Sequence, residues 1–135
     1  MHILVIDGQG GRMGAALTEQ IKAALPNAEL IAIGTNSLAT SAMLRAGANA
    51  AATGENPVVV NSRWADVIVG PIGIIVPDAL LGEVTPLMAK AVSESAATKL
   101  LIPLNRCDVL IAGTESRSTG ELLEDAIAMI RDIIN

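Results

Sequence analysis

The sequence predicts an α/β fold, a three-layer arrangement around a sheet that is mostly parallel with an antiparallel edge strand. Three observations predict it. The chain opens on an unbroken apolar run, Ile3-Leu4-Val5-Ile6, the mark of a strand covered on both faces. A glycine-rich stretch, Asp7 to Gly14, follows at once, and Met13, Leu17, Ile21, Ala24 and Leu25 then recur at helical spacing, so the glycines lie where a buried strand turns into a helix. Further apolar runs alternate with helical segments, as in β-α-β units. Together these read as a single Rossmann-like nucleotide-binding domain over residues 1–135.

The elements follow in order. Residues 3–6 form the first strand, and helix 13–25 ends before Pro26. Residues 29–33 make the second strand, and Gly34-Thr35-Asn36-Ser37 turns it into helix 38–46, which stops at Gly47. A right-handed crossover of this kind puts the ligand crevice at the carboxyl ends of the strands. A small-residue strand at 50–52 precedes Asn56-Pro57, read as a cap and a first-turn proline for a helix at 57–63; Val58-Val59-Val60 disfavours that helix and leaves a strand open. Residues 67–69 are a firmer strand, closed by Gly70-Pro71.

Residues 71–82 are apolar but broken by Pro71, Gly73, Pro77 and Gly82, which suits an oligomer interface or a lid over a ligand. Thr85-Pro86 starts a helix at 86–95. Strands are expected at 99–104 and 109–112; only Asn105 to Asp108 would join them, too short for a parallel crossover, hence the antiparallel edge. Ser118 and Glu121 form a capping box for a closing helix whose apolar stripe runs from Leu122 to Ile134.

Composition narrows the function. Net charge is −5 and the nine basic residues are scattered, while one Trp and no Phe or Tyr offer no stacking platform, so a nucleic-acid partner is excluded. The single cysteine leaves no intramolecular disulfide and no C-x-x-C zinc or redox site, in keeping with a reducing cytoplasmic location. No apolar run approaches a membrane span, and no leader segment is expected. Hydrophobic residues are 51% before counting 12 glycines, above the about 45–50% usual for both together. A homo-oligomer, most simply a homodimer, is the expectation.

The glycines carry the chemistry. Gly8, Gly10, Gly11 and Gly14 give G-x-G-x-x-x-G and G-x-x-G-x-x-G spacings, both variants of the dinucleotide fingerprint. Such a loop lets phosphates approach bare backbone and the N–H groups of the next helix. The structural alternative is a turn that only packs helix on strand. Candidate cofactor contacts are Gly8, Gln9, Gly10, Gly11, Arg12, Met13 and Gly14, joined by Gly34, Thr35, Asn36 and Ser37 after the second strand and by Gly70 and Pro71 after the fourth. The second strand ends without the acid that holds the ribose of NAD, which tilts the reading toward NADP over NAD or toward another nucleotide. Asn36 and its neighbours serve equally as a helix cap.

Asp7 fits turn capping or a ligand contact, and Arg12 a phosphate clamp or a solvated surface role. Glu55, Asn56, Asn105, Arg106 and the run Gly70 to Gly73 follow strands and are candidates for the same rim. Cys107 beside Arg106 is either a thiol of lowered pKa or an inert buried residue. His2, the only histidine, stands at the wrong end of its strand for a crevice residue. Catalytic residues are not identified, and no metal-ligand set is present.

Gly8-Gln9-Gly10 followed by Gly11-Arg12-Met13-Gly14 resembles the nicotinamide-nucleotide fingerprint of dihydrodipicolinate reductases. The resemblance implies cofactor phosphates at Gly8, Gly11, Arg12, Met13 and Gly14. It is confined to the first strand, loop and helix, and that family's catalytic His-His-Lys segment has no counterpart. Over nearly its full length the chain is similar to a family of short bacterial proteins of unassigned function. Ile6 to Gly11, Gly34-Thr35-Asn36, Ala52 to Asn56, Gly70 to Gly73 and Pro103 to Cys107 carry that likeness. Three functions stay open: a small reductase using a nicotinamide dinucleotide, a non-catalytic nucleotide sensor or regulatory module, and a structural subunit of a larger assembly.

Overall fold

The computed structural model describes residues 1–103 and 109–134. Strand β1 (His2–Asp7) runs into helix α1 (Arg12–Ala24), followed by β2 (Glu29–Gly34), α2 (Ser37–Arg45), β3 (Ala50–Thr53), α3 (Glu55–Ser62) and β4 (Val67–Pro71). A 3-10 turn, Ile72–Ile75, then leads through a loop to α4 (Pro86–Glu94), β5 (Thr98–Ile102) and α5 (Thr119–Ile134). The strands form one five-stranded sheet in the order β3-β2-β1-β4-β5, and each pairing is parallel.

Alternation along the strands splits the core in two. Ile3, Val5, Leu30, Ala32, Val67 and Val69 pack against α1, α2 and α5 on one face. Leu4, Ile6, Ile33 and Ile68 pack against α3, α4 and the 3-10 turn on the other. Both faces are covered, so the strands are continuous apolar runs, as expected of a parallel sheet. The order reverses between β1 and β4, and this switch point opens at the carboxyl ends of the strands.

Two expectations are corrected. The antiparallel edge strand does not form among the described residues: Val109 to Ala112 lie outside regular structure, and Leu110 is 84% exposed. An apolar run becomes a strand only where it reaches a ladder, and this one does not join β5, whose outer side no described strand pairs. Asn56 is also not a helix cap, because α3 begins at Glu55, two residues earlier than expected, with Gly54 before it at φ 105°, a conformation suited to glycine. Asn56 and Pro57 then lie in its first turn. The caps at Thr85, whose Oγ1 accepts the Met88 N–H at 3.1 Å, and at Ser118, paired with Glu121, are as expected.

Candidate functional site

Asp7 ends β1 as a buried carboxylate, 5% exposed, aimed into the turn that follows. Its Oδ1 accepts the Gly8 N–H at 2.8 Å and its Oδ2 the Gly14 N–H at 2.7 Å. The side chain thus caps both the loop and the third amide of α1, the capping role anticipated from sequence. The Gly11 N–H closes the turn onto the Gly8 carbonyl at 2.9 Å, and the Gln9 N–H donates to Glu83 Oε1, also at 2.9 Å. Among the described residues, the N–H groups of Gly10, Arg12 and Met13 meet no protein acceptor.

A cavity of about 330 Å³ is bordered by all three of these residues. The β1–α1 loop supplies one wall, from Asp7 to Met13. Pro71 and Gly73 after β4, Leu80 from the loop before α4, and Thr119 and Leu123 at the start of α5 supply the others. Two helix N-termini, those of α1 and α5, therefore border one crevice at the switch point. The first turn of α1 holds no acidic residue, and the carboxylates near the positive end of its dipole, Asp7 and Glu83, are both held by loop amides. Arg12 stands exposed at the rim, without an ion-pair partner among the described residues.

Glycine is required at two of the loop positions for different reasons. Gly11 adopts φ 74°, and a Cβ there would lie 2.7 Å from the Ala39 Cα, against backbone that cannot yield cheaply. A Cβ on Gly14 would stand 2.5 Å from Met43 Sδ and 2.7 Å from Asp7 Cβ. Gly10 is different: a Cβ there meets nothing within 4 Å among the described residues, so its missing side chain leaves open space.

The structure separates the candidate contacts into two groups. Gly8, Gln9, Gly10, Gly11, Arg12, Met13 and Pro71 line the cavity, whereas Gly14, Gly34, Thr35, Asn36, Ser37 and Gly70 do not. Asn36 Oδ1 caps α2 through the Ala39 N–H at 2.9 Å, and the Gly34 backbone is pressed against Thr40. Gly70 packs on the Ile6 carbonyl of the neighbouring strand. Thr35 Oγ1 and Asn36 Nδ2 both donate to Glu83 Oε1, at 2.6 and 2.7 Å. Burial by itself raises a carboxyl pKa; here the hydrogen bonds from Thr35, the Gln9 N–H and Asn36 together outweigh it and hold Glu83 below the ordinary carboxylate value.

Glu55 is likewise directed elsewhere, accepting from Thr85 Oγ1 at 2.5 Å, and Asn56 is exposed. Asn105, Arg106 and Cys107 lie outside the described residues. His2 pairs with Glu29 at 3.1 Å at the far end of the sheet from the cavity. No group of three or more potential metal ligands occurs among the described residues. None of their helices is long and apolar enough to cross a membrane.

Sequence reasoning reached Leu80 only as part of the 71–82 run and missed Glu83, Thr119 and Leu123. The loop that carries the first two has Asp78, Leu80 and Leu81 at φ 65°, 56° and 57°, unusual for residues other than glycine. It is closed on itself by the Asp78 N–H to the Val84 carbonyl, 2.8 Å, and the Val84 N–H to the Ala79 carbonyl, 3.1 Å. No local pattern announces such a turn. The broken apolar run at 71–82 was its one visible trace.

No curated protein matches the chain. Among solved structures, a probable oxidoreductase from Mycobacterium abscessus is similar with a TM-score of 0.51 at 19% identity, over 98% of this chain and 42% of that one. At that identity the likeness speaks to the fold, and the chain spans less than half of the larger protein. A dodecameric FMN-dependent Ubix-like decarboxylase from Escherichia coli O157:H7 gives a TM-score of 0.48 at 12% identity, over 99% of this chain and 94% of that one. A family model described as a domain of unknown function, DUF3842, matches residues 2–135, and the chain belongs to that family.

Proposed function

We propose that this protein binds a phosphate-bearing small molecule of mononucleotide size in the cavity at the switch point. The phosphate accepts from the Gly10, Arg12 and Met13 amides and pairs with the Arg12 guanidinium, while the ring lies against Met13, Ala16, Pro71, Leu80 and Leu123. One observation carries the reading: Gly10, Arg12 and Met13, whose amides have no described protein acceptor, all line the cavity. Its volume sits at the low end of the about 300–1,000 Å³ common for small-molecule sites, which favours half a dinucleotide over a whole one.

The glycine spacing and its likeness to the reductase fingerprint favour a second reading, a nicotinamide dinucleotide, NADP before NAD, with Gly34 to Ser37 around the adenosine ribose. Against it, Thr35 and Asn36 are already engaged by Glu83. Asp7 and Arg12 are the only ionisable side chains among the described lining residues, and Asp7 is occupied with two amides. Among the described lining residues these two alone could exchange a proton, and the engagement of Asp7 supports a sensing or regulatory role over a reductase, whose hydride chemistry would rest on the cofactor. A homo-oligomer remains part of the proposal, on the strength of the apolar composition and of Leu81 and Leu110 in solvent.

The test is a thermal-shift and calorimetric series with inorganic phosphate, AMP, FMN, NADH and NADPH. A ligand at a hundred times its Kd stabilises by about 2.7 kcal/mol, a Tm rise of roughly 10 °C in a domain of this size. The expected result is such a rise with a mononucleotide. A flat response to every compound at millimolar concentration removes the proposal.

A further inference from the structure

In a dinucleotide site built on a β1–α1 loop, the adenosine half turns from the pyrophosphate toward the end of β2, where its ribose is held. In this protein that route is crossed by a side chain from a different part of the fold. Glu83, on the loop before α4, brings one carboxylate oxygen to the Gln9 N–H, to Thr35 Oγ1 and to Asn36 Nδ2, at 2.9, 2.6 and 2.7 Å. One of these donors comes from the β1–α1 loop and two from the turn after β2. Asn36 Nδ2 also donates to the Gln9 carbonyl at 2.9 Å, tying loop and turn directly.

Leu80 completes the closure. A Cβ on Gly8 would meet Leu80 Cδ1 at 2.8 Å and Thr35 Oγ1 at 2.4 Å, so the space beside Gly8 is filled from both the β2 end and the covering segment. Neither Thr35, Asn36 nor Glu83 borders the cavity, which extends only toward β4 and α5. The covering segment keeps this position with three residues other than glycine in left-handed conformations, an arrangement held only when the surroundings over-determine it.

We infer that Glu83 is the specificity-determining residue of this site: its carboxylate seals the β2 side, admits a mononucleotide and refuses the second half of a dinucleotide. The inference rests on the mononucleotide reading above. Charge-assisted hydrogen bonds to an ionised carboxylate are among the stronger ones, so an incoming adenosine ribose would have to displace the set together.

The experiment compares the wild type with Glu83→Ala and Glu83→Gln, using AMP and NADPH as probes and amide hydrogen exchange at Gln9 as a readout independent of ligand. In the alanine variant the Gln9 amide is expected to exchange at least about tenfold faster, and NADPH affinity to rise by about tenfold with AMP unchanged within about threefold. The glutamine variant keeps the shape but loses the charge and is expected to fall between. An unchanged NADPH-to-AMP ratio in both variants overturns the inference. So does weaker NADPH binding in the alanine variant, the result of an acid that grips ribose instead of excluding it. Failure of the mononucleotide reading looks different: AMP, FMN and phosphate all fail on the wild type, whatever Glu83 does.

Discussion

Asp7 Oδ2 accepts the Gly14 N–H at 2.7 Å, so the last residue of the central strand caps the helix that follows it from inside the protein. The same carboxylate holds the Gly8 N–H, and no other residue type reaches both amides from this position with two acceptor oxygens. Asp7→Ala leaves two buried donors without this acceptor and is expected to lower stability by about 2–4 kcal/mol in urea unfolding. Asp7→Asn, with one acceptor oxygen left, loses less. A loss under about 0.5 kcal/mol in the alanine variant would contradict the capping role.

Gly10 and Gly11 are neighbours with opposite expectations. Gly10→Val projects into open space, so stability should stay within about 0.5 kcal/mol while mononucleotide affinity drops by tenfold or more. Gly11→Ala meets the α2 backbone at a positive φ and should cost about 1–3 kcal/mol of stability. A bulky residue at position 11 therefore tests folding before it tests binding. Retained affinity in folded Gly10→Val would displace the phosphate from this loop.

Glu83 links stability to pH. Its hydrogen bonds hold the carboxyl below the ordinary value of 4.5, so the folded state binds that proton less readily than the unfolded state. The resulting stabilisation is present in full above that value and is lost as pH falls through the lower folded one. The stability gap between wild type and Glu83→Gln should be constant near neutrality and close on acidification below pH 4.5. A gap that widens in acid would reverse the sign.

Self-association can be read by sedimentation. Leu81, 97% exposed, tips the loop that covers the cavity, and Leu110 lies 84% exposed after β5. The wild type should sediment as a dimer or larger at micromolar concentration. Leu81→Asn, whose new residue tolerates the left-handed backbone, and Leu110→Ser should shift it toward monomer. A monomeric wild type would refute the expectation drawn from composition.

The parallel framework was legible because each strand is an apolar run and each helix a period, both local signals. Ile3 to Ile6 announced β1, and Leu17 and Ile21 announced the buried side of α1. The first half of the site was legible for the same reason, since Gly8 to Met13 is contiguous in sequence and in space. Glu83 was not: its partner Gln9 is separated by 74 positions, and a glutamate on a loop carries no mark of the amides it will meet. Thr119 and Leu123 escaped notice because α5 returns to the switch point only through tertiary packing. Val109 to Ala112 misled because apolar character does not say whether a ladder is available.

The central place of β1 also governs the order in which the molecule can be completed. The strand synthesised first gains β2 as a neighbour early, but its other flank stays bare until Val67 and the residues after it have emerged. A nascent chain that stops after β3 therefore exposes the edge of an apolar strand that is buried in the finished sheet, and truncated products of that length should depend on chaperones to stay in solution.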